Sequence, residues 1–228
     1  MFPHKTYFNW SSGKDASMAL YLLKQNPQFN VDRLITTINT QYNRVSMHGL
    51  RIDLLHAQAE SIGLPLEHIE LPAKPVMETY NKIMSDKVSK LKNEGFTHCA
   101  FGDIFLEDLK KYREDQLSKY DVKAVFPLWK KNTSTLIKEF IALGFKAVTV
   151  CVDGSLLDES FVGRELDEEF LHDLPENVDP CGENGEFHTF CYDGPIFKHP
   201  IPFKLGEKVY KTYQTEDRDY GLRFCDLI

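Results

Sequence analysis

Between residues 6 and 152 short runs of strand character alternate with amphipathic helical patterns, and few folds accommodate that rhythm. Strands are predicted over 6–10, 31–38, 66–71, 97–101, 124–126 and 146–152, and helices over 16–23, from Leu50 to a stop near Gly63, and over 75–93, 106–119 and 133–143. Ala16, Ala19, Leu20, Leu22 and Leu23 recur at helical spacing, whereas Val31 to Ile38 is rich in β-branched residues. Parallel strands are joined through crossovers, usually helices, so the alternation predicts a parallel sheet covered on both faces: a Rossmann-like α/β sandwich. Ligands of such sheets gather at the carboxyl ends of the strands, so residues 11–15, His48, Gly102 and Asp103 are expected to converge.

From Asp153 the rhythm stops. An irregular region with a helix over 166–171 leads into strand candidates at 187–192, 208–213 and 222–227, the pattern of a small β-rich subdomain. Two units are therefore predicted, residues 1–152 and residues 153–228.

With 228 residues, 42% hydrophobic and 27% charged, the chain can bury a substantial core. Its net charge of -7 provides no overall basic field, which counts against nucleic acid as a partner. No stretch approaches the roughly 18 apolar residues of a membrane span, and no signal-peptide core precedes the first strand, so a cytoplasmic protein is expected. Cys99, Cys151, Cys181, Cys191 and Cys225 are an odd, scattered set without a Cys-x-x-Cys pair, which points to reduced thiols and not to a zinc site.

Two stretches carry chemistry. In Trp10-Ser11-Ser12-Gly13-Lys14-Asp15-Ala16-Ser17 a strand gives way to small residues and a helix begins at once. Small residues let backbone N–H groups crowd around an anion, and the helix N-terminus adds roughly half a positive charge, so the ligand suited to this turn is a phosphate. Neither the Walker A spacing nor Gly-x-Gly-x-x-Gly occurs there. An ordinary turn with a helix cap has the same composition. The second stretch, Asp179 to Phe190, places three carboxylates, an amide, a thiol and an imidazole in twelve residues. On a strand from Glu186 to Phe190, Glu186, His188 and Phe190 share one face and Phe187 and Thr189 the other; an acid beside a histidine can orient a substrate, move a proton or hold a metal. A polar hairpin rich in turn residues is the alternative.

The octet resembles the pyrophosphate loop, Ser-Gly-Gly-x-Asp-Ser, of the N-type ATP pyrophosphatases, which implies the HUP-type variant of the fold. Ser12 replaces the first glycine, the second residue of that pattern, a mild change on the expectation that its backbone keeps a negative φ. Ala16 replaces a serine whose hydroxyl reaches phosphate, and Ser17 points about 100° away from that position. Residues 11–15, then Gly102-Asp103-Ile104, Pro127-Leu128-Trp129, Gly163-Arg164, the 179–190 stretch and Asp193 to Phe197 follow the order seen in the diphthine-ammonia ligase family.

That resemblance implies an amide ligase using ATP and Mg2+. The carboxylate of diphthine, a modified histidine of elongation factor 2, attacks the α-phosphate, pyrophosphate leaves, and ammonia displaces AMP. It further implies that Ser11, Ser12, Gly13 and Lys14 cradle phosphate, that Asp15 orders the loop or the Mg2+ ion, and that Ser17, His48, Gly102 and Asp103 belong to the nucleotide site. Glu183, Asn184 and Glu186 would bind the acceptor or ammonia, with Asp15, Glu183, Glu186 and His188 as the catalytic set. The partners implied are ATP, ammonium and elongation factor 2; a homodimer is left open. Ala16 keeps two further readings in play, a different carboxylate acceptor and a nucleotide-binding regulator with reduced catalysis. An RNA thiolase is the third, opposed by the acidic balance and the lack of paired cysteines.

Overall fold

The computed structural model describes residues 2–39, 44–45, 49–72, 76–214 and 219–228. Its first part runs β1 (His4–Asn9), α1 (Lys14–Gln25), β2 (Phe29–Asn39), β3 (Arg44–Val45), α2 (Ile52–Ile62), β4 (Leu66–Leu71), α3 (Met77–Asn93), β5 (His98–Ala100), α4 (Glu107–Ser118), β6 (Lys123–Val125) and α5 (Thr133–Ala142). The parallel strands lie in the order β4-β2-β1-β5-β6, and the two residues of β3 pair antiparallel with the end of β2. This is the α/β sandwich expected from the alternation. The chain winds outward from β1 in one direction and from β5 in the other, so the crevice where a ligand can enter opens between their ends.

The side-chain alternation of β1 divides the interior into two cores. Phe8, with Trp10 just beyond the strand, packs into a core with Leu20 of α1, Leu55 of α2 and Ile137 of α5; Tyr7 faces a second core with Leu91 of α3 and Leu117 of α4. Helix α2 stops where the sequence places its stop: Gly63 takes φ 78°, and its N–H donates to the Ala59 carbonyl at 2.9 Å.

The strand expected over 146–152 exists but belongs elsewhere. As β7 (Lys146–Asp153) it joins β8 (Phe187–Asp193), β9 (Leu205–Gln214) and β10 (Asp219–Leu227) in a four-stranded antiparallel sheet of order β8-β7-β10-β9. It was read as one more parallel strand because every residue after Lys146 is buried, giving the unbroken apolar run that interior parallel strands also show. Between β7 and β8 lies α6 (Glu168–Asp173), two residues later than its predicted start because the Asp167 side chain caps it, accepting from Phe170 N at 2.8 Å. Among the described residues no helix is long and apolar enough to cross a membrane.

The two lobes of the crevice meet closely where β5 ends. A Cβ on Gly102 would stand 2.9 Å from the Ala16 nitrogen and 3.0 Å from the Asp15 carbonyl carbon, both main-chain atoms. Gly102→Ala is therefore expected to cost about 1–3 kcal/mol, read as a lower urea midpoint at unchanged slope.

Candidate active site

The loop between β1 and α1 is shaped by what holds its carbonyls. That of Trp10 accepts from Thr36 Oγ1 at 2.8 Å, and that of Ser11 accepts from the Ser12 hydroxyl. The Ser12 carbonyl receives Cys191 N and Gln58 Nε2, each at 3.0 Å. Gly13, the residue before α1, accepts from Ser17 N at 3.1 Å and Ser17 Oγ at 3.0 Å. With the carbonyls drawn back into the protein, the N–H groups of Ser11, Ser12, Gly13, Asp15 and Ala16 have no protein partner among the described residues. A run of such donors at a helix N-terminus is the architecture that binds anions.

Ser12 adopts φ 70°, not the negative value expected of it. The position needs the left-handed conformation that the family's glycine takes freely, and a serine there is strained by about 1 kcal/mol. Ser17, a candidate phosphate ligand, is fully buried with its hydroxyl turned back on Gly13. Ala16 is buried beside Gly102.

Lys14 opens α1 with its ammonium on both carboxylate oxygens of Asp15, at 2.9 and 2.7 Å, and 5.4 Å from the Phe187 ring centre. Burial works against the Lys14 charge, yet Asp15, Cys181 and Glu183 hold its pKa above the ordinary value. Burial likewise raises the Asp15 carboxyl; Lys14 offsets part of this, and Asp179 and Asp103 add to the rise. Asp15 and Glu183 thus act on one ammonium, while Asp103 and Asp179 act on Asp15.

Those carboxylates are held differently. Asp103 binds Arg113 Nη2 through Oδ1 at 3.0 Å, while its Oδ2 is buried with no hydrogen-bond partner. Asp179 Oδ1 takes Cys181 N at 2.9 Å and Glu183 N at 3.3 Å, folding the turn. Glu183 Oε1 accepts from Ile104 N at 2.7 Å, tying that turn to the segment after Gly102. Burial pushes the Glu183 carboxyl up to about 7, with Asp15 reinforcing the rise against the Ile104 and Phe105 amides. Glu186 is engaged by its own turn: it takes Asp179 N at 3.1 Å and both Asn184 nitrogens at 2.9 Å. His188 is brought down to about 4 by burial and by Lys14, opposed by Glu186, so its imidazole is neutral at pH 7. Asn184 is exposed at the rim.

The structure therefore brings residues 11–15, Gly102, Asp103, Glu183 and His188 together; His48 lies outside the described residues. Sequence reasoning missed Thr189, whose Oγ1 accepts from Lys14 N at 3.1 Å from the strand face not assigned to the site. It also missed Gln58, a fully buried amide in the apolar stripe of α2 four residues after Leu54. A polar residue inside an apolar stripe was the available signal.

Among the described residues no group of three histidine, cysteine or acidic side chains is arranged to hold a metal ion. Mg2+ ordinarily needs only one or two carboxylates when phosphate oxygens and water complete its shell, and the orphaned Asp103 Oδ2 beside Asp15 suits that arrangement. On the far face of the sheet, between α3 and α4, a cavity of about 230 Å³ is lined by Tyr7, Asn9, Thr37, Tyr80, Phe101 and Arg113 among others.

Comparison with known proteins bears on the whole of this arrangement. The family model of the diphthamide synthase N-terminal domain matches residues 4–124, and that of the diphthamide synthase C-terminal domain matches residues 132–218. The chain belongs to the diphthamide synthase family. It is 30% identical over 202 residues to the diphthine-ammonia ligase of Bos taurus, covering 82% of this chain and 73% of that one. It is 29% identical over the same length and shares to the diphthine-ammonia ligase of Homo sapiens. The solved U34-tRNA thiolase NcsA from Methanococcus maripaludis is similar only at TM-score 0.39 and 18% identity, over 63% of this chain and 58% of that one, too slight a likeness to bear on RNA. In this diphthamide synthase family member the C-terminal match begins ahead of α5 and takes in β7 and β8, the sheet whose strand β8 touches the loop.

Ser12→Gly relieves the strained φ and is expected to raise stability by about 0.5 kcal/mol after glycine's larger unfolded-state entropy is subtracted, measured by chemical denaturation.

Proposed function

We propose that this chain is an ATP-dependent ligase that adenylates a carboxylate, releases pyrophosphate and transfers ammonia to give an amide, with diphthine on elongation factor 2 as the acceptor. The observation that carries this reading is the contact between the anion-binding loop and β8. Lys14 N on Thr189 Oγ1 sets phosphate donors against the strand that bears His188 and adjoins Glu183 and Glu186. A phosphate site and a cluster of proton-handling groups share one crevice, as in-line adenylation requires. The names of the relatives supply the acceptor.

On this reading the free N–H groups of residues 11–13 and 15–16 take the phosphate oxygens, and Lys14 neutralises charge as pyrophosphate departs. The cavity at Asn9, Thr37 and Phe101 lies next in the chain to the loop and to Gly102 and is of a size to take the adenine base. Mg2+, when bound with the nucleotide, supplies further neutralisation of the phosphates, and Asp15 and Asp103 would hold it. Ammonium must lose a proton before it can attack. Glu183, raised to about 7 and partly ionised at neutral pH, is the group suited to accept it, while His188, brought down to about 4, stays neutral beside it as a hydrogen-bonding group. Glu186 keeps the 179–186 turn in shape and Asn184 offers an amide to the acceptor.

Incubation with ATP, Mg2+, ammonium and diphthine-bearing elongation factor 2 is expected to release AMP in step with a mass change on the factor. Asp15→Asn should abolish AMP release while leaving the far-ultraviolet spectrum unchanged. AMP without amidation would replace the acceptor. ATP bound without AMP would favour the regulatory reading, for which Ala16, with no hydroxyl at the helix start, is the observation.

The Glu183 carboxyl has an ordinary value of 4.5 and is raised to about 7 in the fold. The folded state therefore holds this proton more tightly, and the group's contribution to stability falls as pH rises from about 4.5 to about 7. Glu183→Gln should remove that fall, so its melting temperature relative to the parent protein increases across this window. Turnover in the parent should rise through pH 7 as Glu183 ionises, and this limb should vanish in Glu183→Gln.

A further inference from the structure

The carboxamide of Gln58 sits where three segments meet, and none of the chemistry assigned above uses it. It is fully buried on α2. Its Oε1 accepts from Trp10 Nε1 at 3.0 Å, and its Nε2 donates to the Ser12 carbonyl at 3.0 Å and to the Cys191 carbonyl at 2.6 Å. Three of its four hydrogen-bonding capacities are filled, two by main-chain groups of the loop and of β8. Cys191 N closes the triangle on the Ser12 carbonyl at 3.0 Å.

Ser12 is also the residue held at φ 70°. A serine reaches that conformation only when its surroundings fix it. Drawing its carbonyl toward Gln58 and Cys191 turns the adjoining peptide so that the Gly13 N–H points to the other side, completing the run of donors whose Ser11 and Ser12 members are set by the Trp10 and Ser11 carbonyls; such successive N–H groups form an anion-binding nest. A methionine at position 58 fills the same space but leaves the Cys191 carbonyl and the indole N–H without this partner. A glutamate would set a buried carboxylate against two carbonyls.

We propose that Gln58 is a positioning residue: by holding the Ser12 carbonyl it keeps the loop in its anion-binding form and in register with β8. The inference rests on reading residues 11–15 as a phosphate site and adds a residue that touches neither nucleotide nor acceptor. It also accounts for a serine where the family's loop has glycine, since the clamp imposes the conformation that glycine would adopt unaided.

The test follows from that equivalence. Dissociation constants for inorganic pyrophosphate and for ATP with Mg2+ are measured by calorimetry, well below every unfolding midpoint, for the parent, Gln58→Met, Ser12→Gly and the double variant. Gln58→Met should weaken both ligands at least ten-fold. Ser12→Gly, added to Gln58→Met, should recover most of the loss measured against Ser12→Gly itself, because glycine takes the positive φ without a clamp. Gln58→Met within twofold of the parent overturns the proposal. So does a double variant whose melting temperature recovers while its affinity does not, since that describes a merely structural glutamine. If Gln58→Met does not fold, Gln58→Asn, which keeps the amide one methylene short, is read by the same criteria. A parent protein that binds neither ligand overturns the phosphate reading and this inference together; a parent that binds both with unaffected variants overturns this inference alone.

Discussion

The main-chain hydrogen bond from Cys191 to Ser12, with its neighbour from Lys14 to Thr189, joins two sheets that otherwise have separate hydrogen-bonding ladders. Everything distinctive about the site depends on this seam. It fixes which way the loop's donors face, places the Phe187 ring near the Lys14 ammonium, and sets the 179–186 turn beside the ends of β1 and β5. The close approach at Gly102 serves the same end from the other side, since a side chain there would hold α1 away from β5.

Charge within the seam is lopsided. Lys14 pairs with Asp15, and Asp103, Asp179 and Glu183 all lie within electrostatic reach of that carboxylate. Burial makes ionising the last of these unfavourable, which is why Glu183 titrates near neutrality although two backbone amides favour its charged form. Cys181, in the same neighbourhood, is pushed up to about 12 by burial and stays a protonated thiol. Near neutral pH the Glu183 carboxyl titrates here and the Cys181 thiol does not.

Much of this could be read from the residues alone, because periodicity records how each segment meets its immediate surroundings. The strand expected over 66–71 is β4 residue for residue, and the helix expected to stop at Gly63 does so. What periodicity does not record is the partner. The apolar run at 146–152 was recognised as a strand and assigned to the wrong sheet, since a buried strand has the same composition in either. Ser12 was misjudged for a related reason: its φ is imposed by Gln58 and Cys191, both distant in the chain. Thr189 gives no signal in the sequence because it lies on the strand face opposite the acid and the histidine. The local motifs at 11–15 and 179–190 were legible; the hydrogen bonds that align them were not.

The bond between Lys14 N and Thr189 Oγ1 spans 175 positions, and that between Gln58 and Cys191 spans 133. During synthesis the loop leaves the ribosome long before the strand that gives it shape. A nascent chain can assemble its parallel sheet early, since every strand of it has been made by Val125, yet it cannot complete the seam until β8 has been made and paired with β7. The loop's observed shape is therefore completed last, and an unfinished molecule carries residues 11–15 without the contacts that hold them in it.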